Sequence, residues 1–242
     1  MTNKYYAITD ATAEGEADIY IFGDIVTPDW QGCYEMWGDT STTSGLSLVN
    51  DIRGLGVGTI NVHINSYGGD VSEGLAIYNA LKNHAAKIRT YCDGFACSSA
   101  SVIFMAGDER IMNDASILMI HNAWVSATGD ANQLRKEAET LEKLMTALCA
   151  AYKTGVTVDD EQLKAMLDAE TWILPEDAVT MGFATATETK PASSKAAAAA
   201  KKSVYARMTS KDGVSILHVA LPEAKQPEPK PENRLKNFIE SL

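Results

Sequence analysis

The sequence predicts an α/β domain, on three observations. Strand-like and helix-like stretches alternate at intervals of roughly 20–30 residues. Strands run into glycine or small residues before the next helix begins. The chain of 242 residues is 45% apolar, enough to bury a core, yet no apolar run approaches the ~20 residues that would span a bilayer.

The elements follow in order. ADIYIFGDIV, Ala17–Val26, alternates and is rich in β-formers, a strand ending at a turn. TSGLSLVNDIRGLG has the amphipathic pattern of a helix closed by glycine. TINVHINSYGGD is a second alternating strand, with Ile60, Val62 and Ile64 on one face, and it runs into the pair Gly68–Gly69. DVSEGLAIYNALKNHAA opens with Asp70 as N-cap and Glu73 three residues later, a capping-box pattern. KIRTYCDG is a strand that leads through small residues into a short helix over Ser99–Ala106, ended by Gly107, and ASILMIHNAW is another strand.

GDANQLRKEAETLEKLMTALCAAYKTG is the clearest helix. Leu134, Ala138, Leu141, Met145, Leu148 and Tyr152 recur at alternating four- and three-residue steps, and Gly155 ends it. So narrow a stripe suits packing against a long helix of a second subunit or against its own domain; the pattern leaves both open. VDDEQLKAMLDAETWIL is a short helix leading to a strand. PEDAVTMG is a helix with Pro175 at its first position and Gly182 after its end.

After Ala186 the composition changes. The expected organisation is a main domain over 1–187, a low-complexity linker over 188–203 and a tail over 204–242, which carries one hairpin-like Lys-Asp-Gly signal and a Pro/charge-rich end. Charge is divided the same way. Residues 1–189 hold 11 Lys+Arg against 27 Asp+Glu, and residues 190–242 hold 10 against 5. The acidic main domain argues against nucleic acid as a partner. Without a signal-like N-terminus or a membrane span, the expected location is cytoplasmic. Cys33, Cys92, Cys97 and Cys149 lack metal or redox spacing and read as reduced residues. Neither a metal nor a cofactor is expected.

Four histidines make the search for a general base short. His63 lies on the polar face of a strand, His84 near a helix C-terminus where the dipole favours a cation, and His218 in the tail. His121 ends the apolar strand SILMIH where the chain leaves for a loop. A serine hydroxyl needs such a base, itself oriented by a third group, to become a nucleophile. CDGFACSSASVIF offers three serines. Ser98 directly precedes the short helix, so the N–H of Ser99 is a free donor, while Ser101 lies inside the helix, where a hydroxyl bonds back to a carbonyl. Gly68–Gly69 permits close backbone approach to a ligand. Taken alone, each of these features is also explained by packing.

Together they carry a resemblance. INSYGGDVSEGLAIYNAL resembles the Ile-Asn-Ser-Pro-Gly-Gly segment and following helix of the Clp protease proteolytic subunits. GFACSSAS resembles that family's Gly-x-Ala-x-Ser segment, LMIHNA its Met-Ile-His motif, and AETWILPEDAVTMGFA the segment with its third triad member. The likeness runs from about Ile19 to Ala186, and the ETW form and extra tail are more similar to the phage and prophage head maturation proteases.

This resemblance implies a Clp/crotonase-like superhelical stack of β-β-α units with a long protruding handle helix over 131–153. It implies Ser98 as nucleophile, His121 as base, and Glu170 as orienting acid where the family has Asp, with Asp168 as rival. Gly69 and Ser99 would form the oxyanion hole, with Tyr67 standing in place of the family's proline. An extended substrate would bind along Gly68, Asp70 and Val71 on one side and Asn122, Ala123 and Trp124 on the other. The implied partners are protein substrates, in a phage setting scaffold and capsid precursors, and further copies in a heptameric or stacked ring. A housekeeping subunit would also need an ATP-driven unfoldase. A crotonase-like acyl-CoA enzyme and an inactive scaffolding subunit are the other readings.

Overall fold

The structure, a computed structural model, describes residues 6–8, 15–36 and 42–188. The chain begins with β1 (Tyr6–Ile8), β2 (Glu16–Phe22), β3 (Asp24–Val26), α1 (Pro28–Met36) and β4 (Thr42–Ser44). It continues through α2 (Gly45–Gly54), β5 (Thr59–Ser66), α3 (Val71–Lys82), β6 (Lys87–Cys97) and α4 (Ser99–Phe104). After β7 (Glu109–Asn113) and β8 (Ile117–Ile120) come α5 (Ala131–Tyr152), α6 (Asp160–Asp168), β9 (Thr171–Ile173), α7 (Pro175–Thr180) and β10 (Ala186–Glu188). The linker and tail, with their hairpin signal and His218, lie outside the described residues, except that Glu188 pairs with Asn113 where the linker was expected to begin.

The main sheet runs β1-β2-β5-β6-β7-β10, with parallel pairing throughout except at β1–β2. β6 forks. Its first part, Arg89–Cys92, pairs with β7, and its last part, Phe95–Cys97, pairs with β8. β9 then adds antiparallel to β8. This mostly parallel sheet with crossover helices is the α/β class that the sequence predicts, and it is consistent with the Clp/crotonase-like fold.

The core forms where the strand alternation directs it. Ile19 and Ile21 of β2 and Ile60, Val62 and Ile64 of β5 are fully buried, packed with Leu48 and Ile52 of α2, Ile77 and Leu81 of α3, and Ile103 and Phe104 of α4. The opposite face of the sheet is polar and aromatic. His63 stacks between Tyr20 and Tyr91 with both centroid distances 4.8 Å, and its Nδ1 meets Asp93 at 2.9 Å. His84 cross-links two helix ends, with Nδ1 accepting from Ala86 N and Nε2 facing the carbonyl of Leu55.

Two further differences are local. Asp70 caps α3 by accepting from Glu73 N, but the Glu73 carboxylate accepts from Leu46 N at the start of α2 and does not complete a capping box. Complete boxes occur instead at α5 and α6, from Asp130 with Gln133 and from Asp159 with Gln162. The first ten residues of α5 are all exposed, so this helix protrudes from the domain, and its stripe is buried only at Leu148 and Tyr152. Among the described residues no helix is long and apolar enough to cross a membrane.

Arg110 closes the far end of the domain. It is 9% exposed, and its guanidinium donates to the carbonyls of Phe183 (2.8 Å), Gly107 (3.0 Å) and Gly182 (3.1 Å), joining the ends of α4 and α7. Burial lowers its pKa, with the nearby Asp108 charge opposing the shift. Arg110→Met leaves three carbonyls without their donor, and should lower the unfolding free energy by about 3 kcal/mol. Denaturant titration at fixed protein concentration measures this, and a change under 1 kcal/mol would contradict it.

Candidate active site

The site is built where β5, β6 and β8 end side by side. Asn65 and Ser66, the last residues of β5, each satisfy a backbone donor. Asn65 Oδ1 accepts from Phe95 N (3.2 Å), and Ser66 Oγ accepts from Gly68 N (3.0 Å). Asn65 thereby fills a bulge in β6, where the register with β5 jumps between the pairs Ile64–Cys92 and Ser66–Ala96. Gly94 in that bulge leaves no room for a Cβ, which would lie 2.6 Å from Asn65 Oδ1.

The glycine pair is sterically required. Gly68 has φ +96, and a Cβ there would meet Cys97 O at 2.6 Å and Ser98 Cβ at 2.7 Å; Gly69 has φ +140, and a Cβ would meet Ile25 O at 2.0 Å. β3 holds this turn, since Ile25 N donates to Gly68 O (2.9 Å) and Asp70 N donates to Ile25 O (2.8 Å). Tyr67, in the position of the family's proline, packs its ring on Phe95 at 4.8 Å.

Ser98 sits between β6 and α4 with φ 55 and ψ −127, a left-handed backbone that a serine adopts at a cost of about 1–3 kcal/mol. Hydrogen bonds on both sides hold it. Its N–H donates to Met119 O (2.9 Å), and its carbonyl accepts from Ser101 N (2.9 Å) and Ser101 Oγ (2.6 Å). The hydroxyl lies 2.7 Å from His121 Nε2. His121 is 8% exposed. Burial lowers its pKa from 6.5, and the charge of Glu170 opposes this in part. Burial thus favours the neutral ring, and a neutral ring that accepts from the serine hydroxyl at Nε2 carries its own proton on Nδ1.

The two candidate acids separate. Asp168 Oδ1 accepts from Asn122 Nδ2 at 2.7 Å, so this carboxylate and a residue expected in the substrate groove hold each other. Glu170 is exposed, acts on His121 through its charge, and among the described residues makes no direct hydrogen bond to the ring. It has φ 49 just past the end of α6, and is with Ser98 one of two non-glycine residues described with positive φ.

Among the described residues the amides of Gly69 and Ser99 make no hydrogen bond, and Gly69 is exposed. The Ser99 hydroxyl is buried without a partner among the described residues, close to Gly74, whose missing Cβ lets α3 and α4 approach. Of the residues expected along a substrate, Gly68 and Asp70 use their amide protons inside the protein, and Ala123 N points at Met145 Sδ (3.1 Å). Val71 is half-buried at the start of α3, and Trp124 is 63% exposed. Among the described residues no three His, Cys, Asp or Glu side chains cluster to hold a metal ion.

A profile of the family described as Clp protease matches residues 57–190, more than half of the chain. This chain belongs to the Clp protease family. Among its relatives, the ATP-dependent Clp protease proteolytic subunit of Deinococcus radiodurans is 33% identical over 126 residues, 51% of this chain and 62% of the relative. The subunits of the same name from Bacteroides thetaiotaomicron and Borreliella afzelii are 31% and 28% identical over 126 residues, covering 57% and 64% of those relatives. The chain thus spans about three-fifths of the length of the curated relatives it matches. The matched span holds β5, α3, β6, α4 and β8, the elements that carry Gly69, Ser98 and His121.

Sequence reasoning missed the supporting roles of Asn65 and Ser66, although an Asn-Ser pair just before two glycines is a signal for side chains bonding to a turn. It read Tyr152 only as part of an apolar stripe.

A left-handed glutamate is strained where glycine is not, so Glu170→Gly should raise the unfolding free energy by about 0.5–1 kcal/mol. The same change removes a charge that raises the His121 pKa, which should fall further below 6.5. A folded-state pKa below the unfolded one means that the unfolded chain binds more protons, so stability from this group is full above about pH 6.5 and declines as pH falls. Denaturant titration and imidazole NMR titration check the two effects; a less stable variant or a raised pKa would contradict them.

Proposed function

We propose that this Clp protease family chain is a serine endopeptidase that cleaves peptide bonds in a chamber formed by several copies. The observation that carries the reading is the 2.7 Å contact between His121 Nε2 and the Ser98 hydroxyl, at a strained turn near the amides of Gly69 and Ser99, which make no hydrogen bond among the described residues. In this mechanism His121 takes the hydroxyl proton as Ser98 Oγ attacks the scissile carbonyl. The oxyanion that forms accepts hydrogen bonds from Gly69 N and Ser99 N. Glu170 stabilises the transient imidazolium, and His121 then gives its proton to the leaving amine. Water repeats the sequence to release the acyl group.

The substrate would lie as an extended strand beside Gly69 and the segment after His121, bound through its backbone, which tolerates many side chains. Such tolerance calls for confinement. The exposed first half of α5, with Leu134 45% exposed, and the exposed Trp124 and Val125 favour association with further copies of this chain.

Two settings follow. The tail and the ETW form favour prohead maturation, with scaffold and capsid precursors as substrates. The name shared by the relatives, ATP-dependent Clp protease proteolytic subunit, favours work with an ATP-driven unfoldase. Cleavage of a folded protein only when an unfoldase and ATP are present would select the second, and cleavage of capsid precursors without ATP the first.

The chemistry has its own test. Fluorophosphonate should label wild type and not Ser98→Ala, and Ser98→Ala should lower peptide turnover by about five to six orders of magnitude with folding and assembly intact. The rate should rise with pH through a pKa below 6.5, and Glu170→Gln should move that limb lower. Unchanged turnover by Ser98→Ala would overturn the assignment, and so would saturable CoA binding without labelling.

A further inference from the structure

The Ser98 carbonyl and the Ser99 N–H are the two ends of one peptide group. The carbonyl end is held from inside the domain. Ser101 Oγ lies 2.6 Å from Ser98 O and 2.7 Å from the hydroxyl of Tyr152. A carbonyl has no proton to give, so Ser101 must donate to it, and Tyr152 must then donate to Ser101. All three oxygens belong to one chain of hydrogen bonds, Tyr152 Oη–H to Ser101 Oγ–H to Ser98 O.

Tyr152 suits this task. It is the last residue of α5, 2% exposed, with its ring set edge-on to Phe183 at 6.0 Å. Burial raises its pKa well above the ordinary value, so it remains a donor across the working pH range. An apolar side chain would fill the same space; the buried hydroxyl has Ser101 as its hydrogen-bond partner.

We infer that Ser101 and Tyr152 are positioning residues that orient and polarise the Ser98–Ser99 peptide group, and so strengthen the Ser99 N–H as an oxyanion donor. This rests on the serine peptidase reading above. Hydrogen bonds accepted at a peptide carbonyl polarise the N–H of the same group, by roughly 10–30% per bond. The same bonds fix the plane of the peptide, and with it the direction of the N–H. Through Tyr152 they also tie that direction to the base of the protruding helix α5, whose other half lies outside the domain.

The relay acts on the transition state and not on the bound substrate, which sets its signature. An oxyanion donor is worth about 10²–10³ in kcat, so losing a tenth to a third of it should lower kcat by about twofold to eightfold. Ser101→Ala should fall further than Tyr152→Phe, and KM for a fluorogenic peptide should stay within about twofold in both. Affinity for a peptide boronic acid, whose tetrahedral adduct occupies the oxyanion hole, should weaken by the same factor as kcat.

Stability separates this from a packing role. Ser101→Ala leaves the Tyr152 hydroxyl buried and unpaired, and should lower Tm; adding Tyr152→Phe removes that unpaired group and should restore Tm. In the double variant kcat should remain low, no lower than in Ser101→Ala alone. If kcat recovers with Tm, if KM rises while kcat holds, or if Tyr152→Phe turns over like wild type, the inference is overturned. Ser98→Ala, run alongside, distinguishes the two levels: full turnover by that variant would remove the peptidase reading itself, whereas its inactivity beside a normal Tyr152→Phe removes only the relay.

Discussion

The left-handed backbone of Ser98 is the constraint on which the rest of this site depends. A strand that passes directly into a helix must turn sharply, and turning at a serine presents its hydroxyl outward at the cost of an unfavourable φ. The surrounding structure offsets that cost from three directions. Met119 O and Ser101 fix the two backbone polar groups of Ser98, while Gly68, having no Cβ, lets the neighbouring turn lie against Ser98 Cβ and Ser99 N. Neither glycine of the pair can be read as mere flexibility. Each removes a clash of less than 3 Å with backbone, and the turn is held by hydrogen bonds of Gly68 to Ser66 and Ile25 and of Asp70 to Ile25.

Sheet register explains why the imidazole arrives where it does. β6 pairs with β8 in parallel, with Cys97 opposite Met119. One residue beyond Cys97 on β6 is Ser98, and two beyond Met119 on β8 is His121. The fork in β6 makes this pairing possible. Its first part is held by β7, and the bulge filled by Asn65 redirects its last part to β8. A slip of one residue would turn His121 to the other face of its strand. The contact between base and hydroxyl is therefore set by backbone pairing some 20 residues apart in the chain, with the local loop adding little.

What was legible in the sequence follows from range. The alternation of Ile60, Val62 and Ile64, the Asp70 cap, the stripe of α5 and the Pro175 and Gly182 limits of α7 are encoded within a few residues, and each is present in the structure. α1 was not legible, since PDWQGCYEM contains Gly32 and no apolar face at helical spacing. β3 and β4 are three residues each and exist by pairing with one another across 15 intervening residues. β7, with only five residues, is not assigned from the sequence. In the site, the order of Ser98 and His121 was readable because four motifs share it. The Ser101–Tyr152 contact, 51 residues apart, has no local signature at all.

The acid illustrates the limit most clearly, because two carboxylates two residues apart differ only in helical phase and in one methylene. Asp168 is the last helical residue of α6, and its direction from the helix leads to Asn122. Glu170 lies past the cap, where the helix has ended and the backbone turns left-handed. Glycine or asparagine commonly occupies such a position, because a Cβ there is strained. A glutamate at that point is unfavourable for the helix end, and its charge opposes the lowering of the His121 pKa by burial. The two strained non-glycine residues among those described, Ser98 and Glu170, thus both act on His121, one by contact and one by charge. Backbone strain at two groups that bear on a single buried imidazole accords with the serine peptidase proposed above, since strain of this kind clusters where the surrounding structure over-determines a geometry.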